Sequence, residues 1–363
     1  MNSTEPATAT ATPATPAAPA TPSLAATALG LGAIFLQGCL LLLAGLLTAF
    51  AFVWFVPEVN DYHLASVLKH DRLSSLKSPK IVLTGGSNLA FGIDSPMIEQ
   101  ATGLPVVNMG MDGYLGVEFL LAEVEPELEP TDVVVVALEH DSYIIPPEGV
   151  PESQLAIVKA NPSALKYLTA PQRQALFKSL LLVAQAKVKR LIEDTGRTLQ
   201  KQFMGIESAS QMAEHIGRFE GFIKQGDFTS HLDVQYPEAP ADGLDLGSKP
   251  PGPITKLLRE FNQRMRAKGV RVLFSYPPVA QPYFARHSAS IAAIHAGLAA
   301  DADVFAPTAP SEFVYPADRF FDTVYHVTRQ AREARTRRLL QDIQQLLERT
   351  PPASGSLQRA ENE

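Results

Sequence analysis

The apolar positions of this 363-residue chain form one long run and several short ones. The long run covers residues 24–56 and contains no charged side chain. Because about 20 apolar residues are enough for a helix to cross a bilayer, this run predicts one transmembrane helix. The short runs come after residue 78 and alternate with amphipathic stretches, as strands and helices do in an α/β domain. The pattern therefore predicts a membrane anchor followed by an α/β domain over residues 78–348.

The short apolar runs predict strands at Ile81–Leu83, Pro105–Asn108, Asp132–Leu138, Val270–Ser275 and Val304–Phe305. The amphipathic stretches predict helices at Pro96–Ala101, Val117–Val124, Ile254–Ala267, Ser288–Ala300 and Thr328–Glu348. The third of these strands is apolar from Val133 to Leu138, which is typical of a parallel sheet with helices on both faces. We therefore expect a three-layer α/β sandwich with a mostly parallel sheet.

Residues 146–250 interrupt the alternation, and we interpret them as an insertion that caps the face where the active site is expected. Pro162–Leu168 and Gln172–Ile192 have helical patterns, and the second is amphipathic and basic. Residues 227–253 are rich in Pro, Gly and Asp, which is typical of a long loop. The basic helix has two interpretations: a helix packed on the sheet with a solvated basic face, which we favour, or a helix lying on a membrane surface.

The two ends of the chain have compositions that do not support a packed core. Residues 1–22 are almost entirely Ala, Thr and Pro, and we expect them to be disordered, as we do residues 350–363. No basic segment precedes the apolar run, so a cleaved signal peptide is disfavoured. A lipoprotein cleavage box at Leu36–Cys39 is also disfavoured, because the apolar run continues well past Cys39.

Charge and cysteine content exclude several classes of function. The formal net charge is −7, so we expect no basic surface for nucleic acid. Cys39 is the single cysteine and lies in the apolar run, which leaves the α/β domain without a thiol nucleophile or a cysteine zinc site. His140 and Asp141 could join Asp322 and His326 as metal ligands, but isolated neighbours of this kind seldom are. We expect no metal and, because nucleotide-binding glycine motifs are absent, no cofactor.

A candidate nucleophile directly follows the first predicted strand. Gly85 and Gly86 permit a tight turn there, and Ser87 comes next, at the carboxyl end of the strand. The backbone N–H of Ser87 would face a developing oxyanion. Near the other end of the chain, Asp322 and His326 precede the last predicted helix. An imidazole held by a carboxylate is the base that a serine hydroxyl needs near neutral pH.

The order Ser87, Asp322, His326 resembles that of the SGNH (GDSL-type) hydrolases, in which the serine follows the first strand and an Asp and a His share one turn before the last helix. More narrowly, Gly86–Asp94 is similar to membrane-anchored SGNH-like proteins of bacterial cell envelopes, which include alginate O-acetylation and teichoic-acid D-alanyl transfer proteins. The resemblance implies a flavodoxin-like three-layer fold and a Ser87–His326–Asp322 triad. It covers roughly residues 78–145 and 268–348.

The resemblance also implies further donors to the oxyanion, and here the chain departs from the family. Gly110 matches the glycine that supplies the second donor, although it could be an ordinary turn glycine. Where the family has an asparagine as third donor, this chain has Glu139, and a carboxylate donates only when it is protonated. Asn88 is our candidate for the missing amide. Glu139 would orient a substrate hydroxyl or an arginine, or be a solvated strand end. The Asp–His spacing is also one residue longer than in the family, which makes Asp318 the alternative carboxylate.

We therefore expect a membrane-anchored serine esterase or O-acyltransferase that acts on acyl esters of cell-envelope glycans. Its expected partners are an acyl donor or acylated glycan, the membrane, and a membrane-bound O-acyltransferase. The alternative is a non-catalytic envelope assembly or scaffold protein with a degraded site, which the missing asparagine favours.

Two indications disagree about the side of the membrane on which the domain lies. No Lys or Arg precedes the apolar run, whereas Lys69, Arg72, Lys77 and Lys80 follow it. Taken literally, the positive-inside rule puts the domain in the cytoplasm. These residues lie beyond the first dozen positions after the run, and the resemblance implies the opposite face. We therefore expect a periplasmic or otherwise extracytoplasmic domain.

Overall fold

The computed structural model of the protein describes residues 24–55, 61–204, 216–234, 236–247, 252–300 and 304–349. The chain divides into two compact units, Met1–Phe52 and Val53–Glu363. The segments for which we predicted disorder, 1–22 and 350–363, lie outside the described residues.

Helix α1, Leu24–Phe55, accounts for the long apolar run. At about 1.5 Å per residue its 32 residues extend for roughly 48 Å, which exceeds the ~30 Å hydrocarbon core of a bilayer. The part from Leu31 to Phe55 is long and apolar enough to cross a membrane, and few of its residues are buried. The helix thus has the length and composition that the sequence predicted for a membrane span.

A four-stranded parallel sheet is the centre of the second unit. Its strands are β1 (Ile81–Gly85), β2 (Val106–Asn108), β3 (Val133–Ala137) and β4 (Arg271–Phe274). They lie in the order β2-β1-β3-β4, with Ile81 opposite both Val106 and Val133, and Val133 opposite Arg271. A separate parallel pair joins β5 (Val279–Ala280) to β6 (Val314–Tyr315). The prediction of an α/β fold with a mostly parallel sheet is confirmed.

Helices connect the strands and follow them in the chain. They are α2 (Ala65–Ser75), α3 (Ser87–Gly92), α4 (Ser95–Thr102), α5 (Val117–Ala122), α6 (Pro151–Ala160), α7 (Ala170–Met204), α8 (Gly252–Ala267), α9 (Gln281–Ala299) and α10 (Arg329–Glu348). The predicted helix at 162–168 is a 3₁₀ turn, Pro162–Tyr167.

Both faces of the sheet are buried: successive side chains of a strand point to opposite sides, and helices cover each side. On one face, Leu83 and Val135 pack in a cluster with Leu339 and Ile343 of α10. On the other face, the alternate strand residues pack with side chains of α5 and α8; this cluster includes Val82, Val134, Val136, Leu120, Leu258 and Phe261. Burial of each such side chain stabilises the fold by roughly 1.5–3 kcal/mol. The continuous apolar character of β3 follows from this two-sided burial.

Two predicted elements differ from the structure. Residues Val304 and Phe305 are not a strand: the Phe305 carbonyl accepts one hydrogen bond from the Phe274 N–H, at 2.9 Å, without extending the sheet. Helix α9 begins at Gln281 rather than Ser288. Pro282 lies in its first turn, where a proline costs no hydrogen bond, so the helix can start ahead of its amphipathic part.

The insertion contributes α6 and α7, and α7 is longer than predicted. It packs mainly against α6, which differs from the expected packing on the sheet. Its outward surface is not purely basic. The side chains of Phe177 and Ile192 are 79% and 68% exposed, and Lys189 lies on the same exposed part of the helix.

The described residues of the predicted loop, 227–234 and 236–247, are irregular, but the first of them are held inside the domain. Asp227 is fully buried and accepts hydrogen bonds from Ser95, from the Asn108 amide, and from Arg332 at 3.1 Å. Because Arg332 is in α10 and Asn108 ends β2, this carboxylate joins the insertion to both sequence ends of the α/β domain.

Candidate active site

The turn after β1 brings Ser87 to the carboxyl edge of the sheet. β1 ends at Gly85, Gly86 precedes the first turn of α3, and Ser87 is the first residue of that helix. Neither glycine leaves room for a side chain. A Cβ on Gly85 would lie 2.1 Å from the Ala137 carbonyl oxygen, and one on Gly86 would lie 1.8 Å from a carboxylate oxygen of Glu139. The two glycines therefore permit the close approach of this turn to the end of β3.

Ser87, His326 and Asp322 form one hydrogen-bonded chain, as predicted. The Ser87 Oγ lies 2.8 Å from His326 Nε2, and His326 Nδ1 lies 2.6 Å from Asp322 Oδ1. A neutral imidazole with its proton on Nδ1 satisfies both contacts, since Nδ1–H then donates to Asp322 and Nε2 accepts from the serine hydroxyl. The structure thus brings together residues 239 positions apart in the chain.

The four-residue Asp–His spacing is accommodated by the turn between them. The Phe321 N–H donates to the His326 carbonyl at 2.8 Å, which closes the turn. The alternative carboxylate, Asp318, is exposed and lies beside Arg319. Asp322 is therefore the carboxylate that holds the imidazole.

The charge of Asp322 is stabilised by its partner. Burial alone would raise the pKa of this carboxyl, but the charge and hydrogen bond of His326 outweigh burial and hold the pKa of Asp322 below its usual value. An ionised Asp322 can stabilise the imidazolium that forms when His326 accepts a proton.

The two amide donors that the sequence suggested are already engaged in this structure. The Gly110 N–H donates to the Asn108 side chain at 3.0 Å. The Asn88 amide group donates to the Ala137 carbonyl at 2.9 Å, and its side-chain oxygen accepts from Arg335 at 2.6 Å. The Asn88 amide ties the serine turn to the end of β3, and the Gly110 N–H is bonded within the loop after β2. Both groups are therefore engaged within the protein in this arrangement.

The backbone N–H of Asn88 lies on the active-site side. It donates to Glu139 Oε1 at 2.8 Å, and the same oxygen lies 3.2 Å from Ser87 Oγ. Glu139 is buried, so the alternative of a solvated strand end is wrong. The carboxyl group occupies the space beside the nucleophile in which the oxygen of an attacked carbonyl would lie.

Arg335 is a site residue that sequence reasoning missed. Its guanidinium is almost fully buried and donates to the Asn88 carbonyl at 2.5 Å and to the Asn88 side chain. Burial lowers the pKa of Arg335 to about 9. Gly92 makes space for it, since a Cβ there would lie 2.5 Å from the guanidinium. In the sequence Arg335 cannot be told from its exposed neighbours Arg337 and Arg338, because all three belong to one basic helix segment.

A buried histidine ties the nucleophile helix to the histidine turn. His231 Nε2 lies 3.1 Å from the Phe91 carbonyl and 3.0 Å from the Val327 carbonyl, so this nitrogen carries the proton that both oxygens share. Burial lowers the pKa of His231 to about 3, which keeps it neutral. His231 thus belongs to the support of the triad.

Two cavities meet at Ser87. The first has a volume of about 320 Å³, and its walls include the apolar and aromatic side chains Tyr62, Phe91, Met111 and Phe321. The second has a volume of about 260 Å³ and is lined by the carboxyl groups Asp112, Glu139, Asp141 and Asp242. Ser87, Asp112 and His326 line both. The nucleophile and its base are thus reachable from an apolar side and from an acidic side.

Asp141 and His140 do not approach the triad as metal ligands. Asp141 accepts hydrogen bonds from the hydroxyls of Tyr283 and Tyr325, at 2.9 and 2.7 Å, and from the Leu244 N–H at 3.0 Å. Burial lowers the pKa of His140 to about 3. In the part of the chain that the structure describes, His, Cys, Asp and Glu form no group of three placed to hold a metal ion.

The positions of Ser87, His326 and Asp322 indicate what chemistry this site can perform. A hydroxyl nucleophile, a base and an orienting carboxylate are in hydrogen-bond contact at the end of a parallel strand, beside two cavities. This arrangement supplies the nucleophile, base and orienting carboxylate that acyl transfer through a serine requires. No protein-family model matches the chain, and no curated protein is significantly similar to it in sequence.

Proposed function

We propose that the protein is a membrane-anchored, SGNH-like serine esterase or O-acyltransferase with a three-layer α/β fold, and that Ser87 attacks the acyl ester. The observation that carries the proposal is the unbroken hydrogen-bond chain from Ser87 through His326 to Asp322. The buried clusters on both faces of the parallel sheet and the position of Ser87 after β1 support the SGNH-like assignment.

In the proposed reaction, Ser87 Oγ bonds to the acyl carbon while its proton passes to His326 Nε2. The imidazolium, stabilised by Asp322, then returns that proton to the leaving alcohol, and an acyl-serine remains. An incoming hydroxyl loses its proton to His326 and bonds to the acyl carbon; the bond between that carbon and Ser87 Oγ breaks, and His326 returns the proton to Ser87 Oγ. Water as acceptor gives hydrolysis, and a glycan hydroxyl gives acyl transfer.

The two cavities suggest how the substrates are placed. The aromatic cavity suits the carbon chain of a short acyl group, since Phe91 and Phe321 offer apolar walls next to Ser87. The second cavity suits a hydroxyl-rich acceptor, because carboxylates accept hydrogen bonds from sugar hydroxyls. Among the described residues that line either cavity, no Lys or Arg is present. We therefore infer a neutral rather than a polyanionic glycan as the acceptor.

The cellular setting completes the proposal. Helix α1 has the length and composition of a membrane span, which supports an anchored enzyme. By the resemblance, the domain faces the periplasm or exterior, and a membrane-bound O-acyltransferase delivers the acyl group. The substrates are acyl esters of cell-envelope glycans.

One observation favours a second candidate, a non-catalytic envelope assembly or scaffold protein. Glu139 Oε1 accepts the hydrogen bond from the Asn88 N–H beside Ser87. An acyl oxygen therefore has to displace Oε1 before it can accept that hydrogen bond. If the Glu139 carboxyl group is never displaced, the site could bind a glycan but could not transfer its acyl group.

A fluorophosphonate probe distinguishes the two candidates, because it bonds only to an activated serine. Three full-length proteins in detergent would be treated with the probe and analysed by mass spectrometry: wild type, Ser87→Ala and Ser288→Ala. Ser288→Ala is the control, because Ser288 is an exposed serine in the wild type. We expect one adduct, on Ser87, in the wild type and in Ser288→Ala, and none in Ser87→Ala. A wild type that stays unlabelled would support the scaffold candidate.

A further inference from the structure

The Glu139 carboxyl group lies beside Ser87, and only one of its two oxygens has a hydrogen-bond partner among the described residues. It follows β3, and its Oε1 accepts the Asn88 N–H at 2.8 Å and lies 3.2 Å from Ser87 Oγ. Its Oε2 is buried and has no hydrogen-bond partner among the described residues. A buried oxygen without a donor is costly for a charged carboxylate and less costly for the carbonyl oxygen of a neutral carboxylic acid, which leaves Oε1, beside Ser87 Oγ, to carry the proton.

Two glycines form a cradle around this carboxyl group. A Cβ on Gly86 would lie 1.8 Å from Glu139 Oε2, and one on Gly113 would lie 2.7 Å from the same atom. These glycines come from two different loops, one after β1 and one after β2. The absence of side chains on these two glycines therefore leaves the space that the Glu139 carboxyl group occupies beside Ser87.

The groups that face Glu139 do not supply a cation to pair with it. His326 lies across Ser87, and Tyr62 and Tyr114 approach from the segments before α2 and after β2. Arg335 approaches from α10, but its hydrogen bonds go to Asn88 and to the Tyr276 carbonyl. Burial raises the pKa of Glu139, and the hydrogen bonds from Asn88 and the charge of His326 offset this only in part.

We propose that the Glu139 carboxyl, carrying its proton, is the second hydrogen-bond donor to the acyl oxygen, beside the Asn88 N–H. The inference rests on the proposed function of Ser87. As Ser87 Oγ bonds to the acyl carbon, the carbonyl electron pair moves to the oxygen, and the hydroxyl proton goes to His326 Nε2. The oxygen takes the Asn88 N–H from Glu139 and accepts the Glu139 O–H, and Glu139 keeps its proton. An ionised Glu139 would offer only lone pairs and a negative charge to the oxyanion.

The decisive variants are Glu139→Gln and Glu139→Ala in the full-length protein, compared with Ser87→Ala on a short-chain p-nitrophenyl ester. Glutamine keeps a donor of the same size, so we expect Glu139→Gln to stay within about tenfold of wild type in kcat, whereas Glu139→Ala loses about 10²–10³-fold. Circular dichroism and thermal unfolding show whether each variant folds.

The pH profile supplies a readout that a merely structural glutamate would not move. Wild-type kcat should fall on the alkaline side, as the pH rises through the raised pKa of Glu139 and its proton is lost. Glu139→Gln has no proton to lose there and should keep its rate. A Glu139→Gln variant as slow as Glu139→Ala, or one with the wild-type alkaline fall, would overturn the inference.

Failure of the inference and failure of the proposed function give different results. Turnover that persists in Ser87→Ala contradicts the proposed function itself, whereas turnover that needs Ser87 but is indifferent to Glu139 overturns this inference alone. If no ester is turned over, the infrared difference spectrum of wild type minus Glu139→Gln at neutral pH decides. A protonated carboxyl band in the wild type supports the inference, and a carboxylate band overturns it.

Discussion

The ring of His326 lies flat on the ring of Phe91, with centroids 3.9 Å apart and planes inclined by 8°. Phe91 belongs to α3, the helix that begins with Ser87, and the Phe91 carbonyl accepts from His231. One short helix therefore carries the proposed nucleophile and the aromatic ring against which the proposed base packs. An aromatic face also attracts a cation, so Phe91 would favour the imidazolium that forms in the proposed attack.

Replacing Phe91 should lower both the rate and the stability. Phe91→Leu removes the flat support, and we expect kcat to fall about tenfold, with the free energy of unfolding lowered by about 1–2 kcal/mol. Phe177→Leu, at an exposed position of α7, is the matched control and should leave both quantities unchanged. Steady-state kinetics and chemical denaturation measure the two effects. An unchanged kcat together with lower stability would mean that the ring only packs.

Asp322 should matter for catalysis and Asp318 should not. Asp322→Asn keeps the size of the side chain but loses the charge that stabilises the imidazolium, so we expect kcat to fall about 10³–10⁴-fold. Asp318→Asn, whose carboxyl is exposed beside Arg319, should retain wild-type kcat. Comparable losses in the two variants would contradict the assignment.

The lowered pKa of Asp322 leads us to expect that the free energy of unfolding depends on pH. The folded-state pKa of Asp322 is below its unfolded value of about 3.9, so the stability that its charge contributes is present above that pH and is lost as the pH falls through the folded pKa. Denaturant unfolding of the wild type should therefore become easier between about pH 4 and 2, and Asp322→Asn should show a smaller change. Parallel curves for the two proteins would argue against a charged Asp322–His326 pair.

The sheet and the triad could be predicted because their signals are local. β3 is apolar without interruption, since both faces of the sheet are buried. Ser87 follows β1, Asp322 and His326 shortly precede α10, and the order of these three residues in the chain predicted the triad. Partners of polar groups were not visible in the same way. The amide of Asn88 and the N–H of Gly110 look available in the sequence, and only the folded chain shows that Ala137 and Asn108 accept from them.

The supports of the site could not be predicted for the same reason. Arg335 is one of several arginines in α10, and which of them turns inward depends on how α10 packs against α3. Val304 and Phe305 form an apolar run of only two residues. Such a short run does not distinguish a strand from an irregular segment beside β4.

Arg335 should be essential for the fold around Ser87. Arg335→Ala removes two hydrogen bonds to the buried oxygens of Asn88, and hydrogen bonds from charged groups contribute about 1.5–3 kcal/mol each, so we expect unfolding to become easier by about 3 kcal/mol or more. Arg337→Ala, at an exposed position of the same helix, should change stability by less than about 0.5 kcal/mol. Equal effects in thermal and denaturant unfolding would show that the buried contacts contribute little.

The orientation of the chain can be tested with reporters fused after Glu363. With the domain outside, alkaline phosphatase fused there should be active, and a fluorescent protein that matures only in the cytoplasm should be dark. Each reporter serves as the control for the other. The reverse pair of results would place the domain in the cytoplasm, in agreement with the positive-inside rule taken literally.

The most direct test of the account is kcat/KM for a short-chain p-nitrophenyl ester, measured for wild type, Ser87→Ala and Ser288→Ala. Ser87 donates to His326 at the centre of the site, whereas Ser288 is exposed on α9. We expect turnover by wild type and Ser288→Ala, and a loss of at least about 10³-fold in Ser87→Ala, since triad members act as a unit. Equal rates for wild type and Ser87→Ala would contradict it.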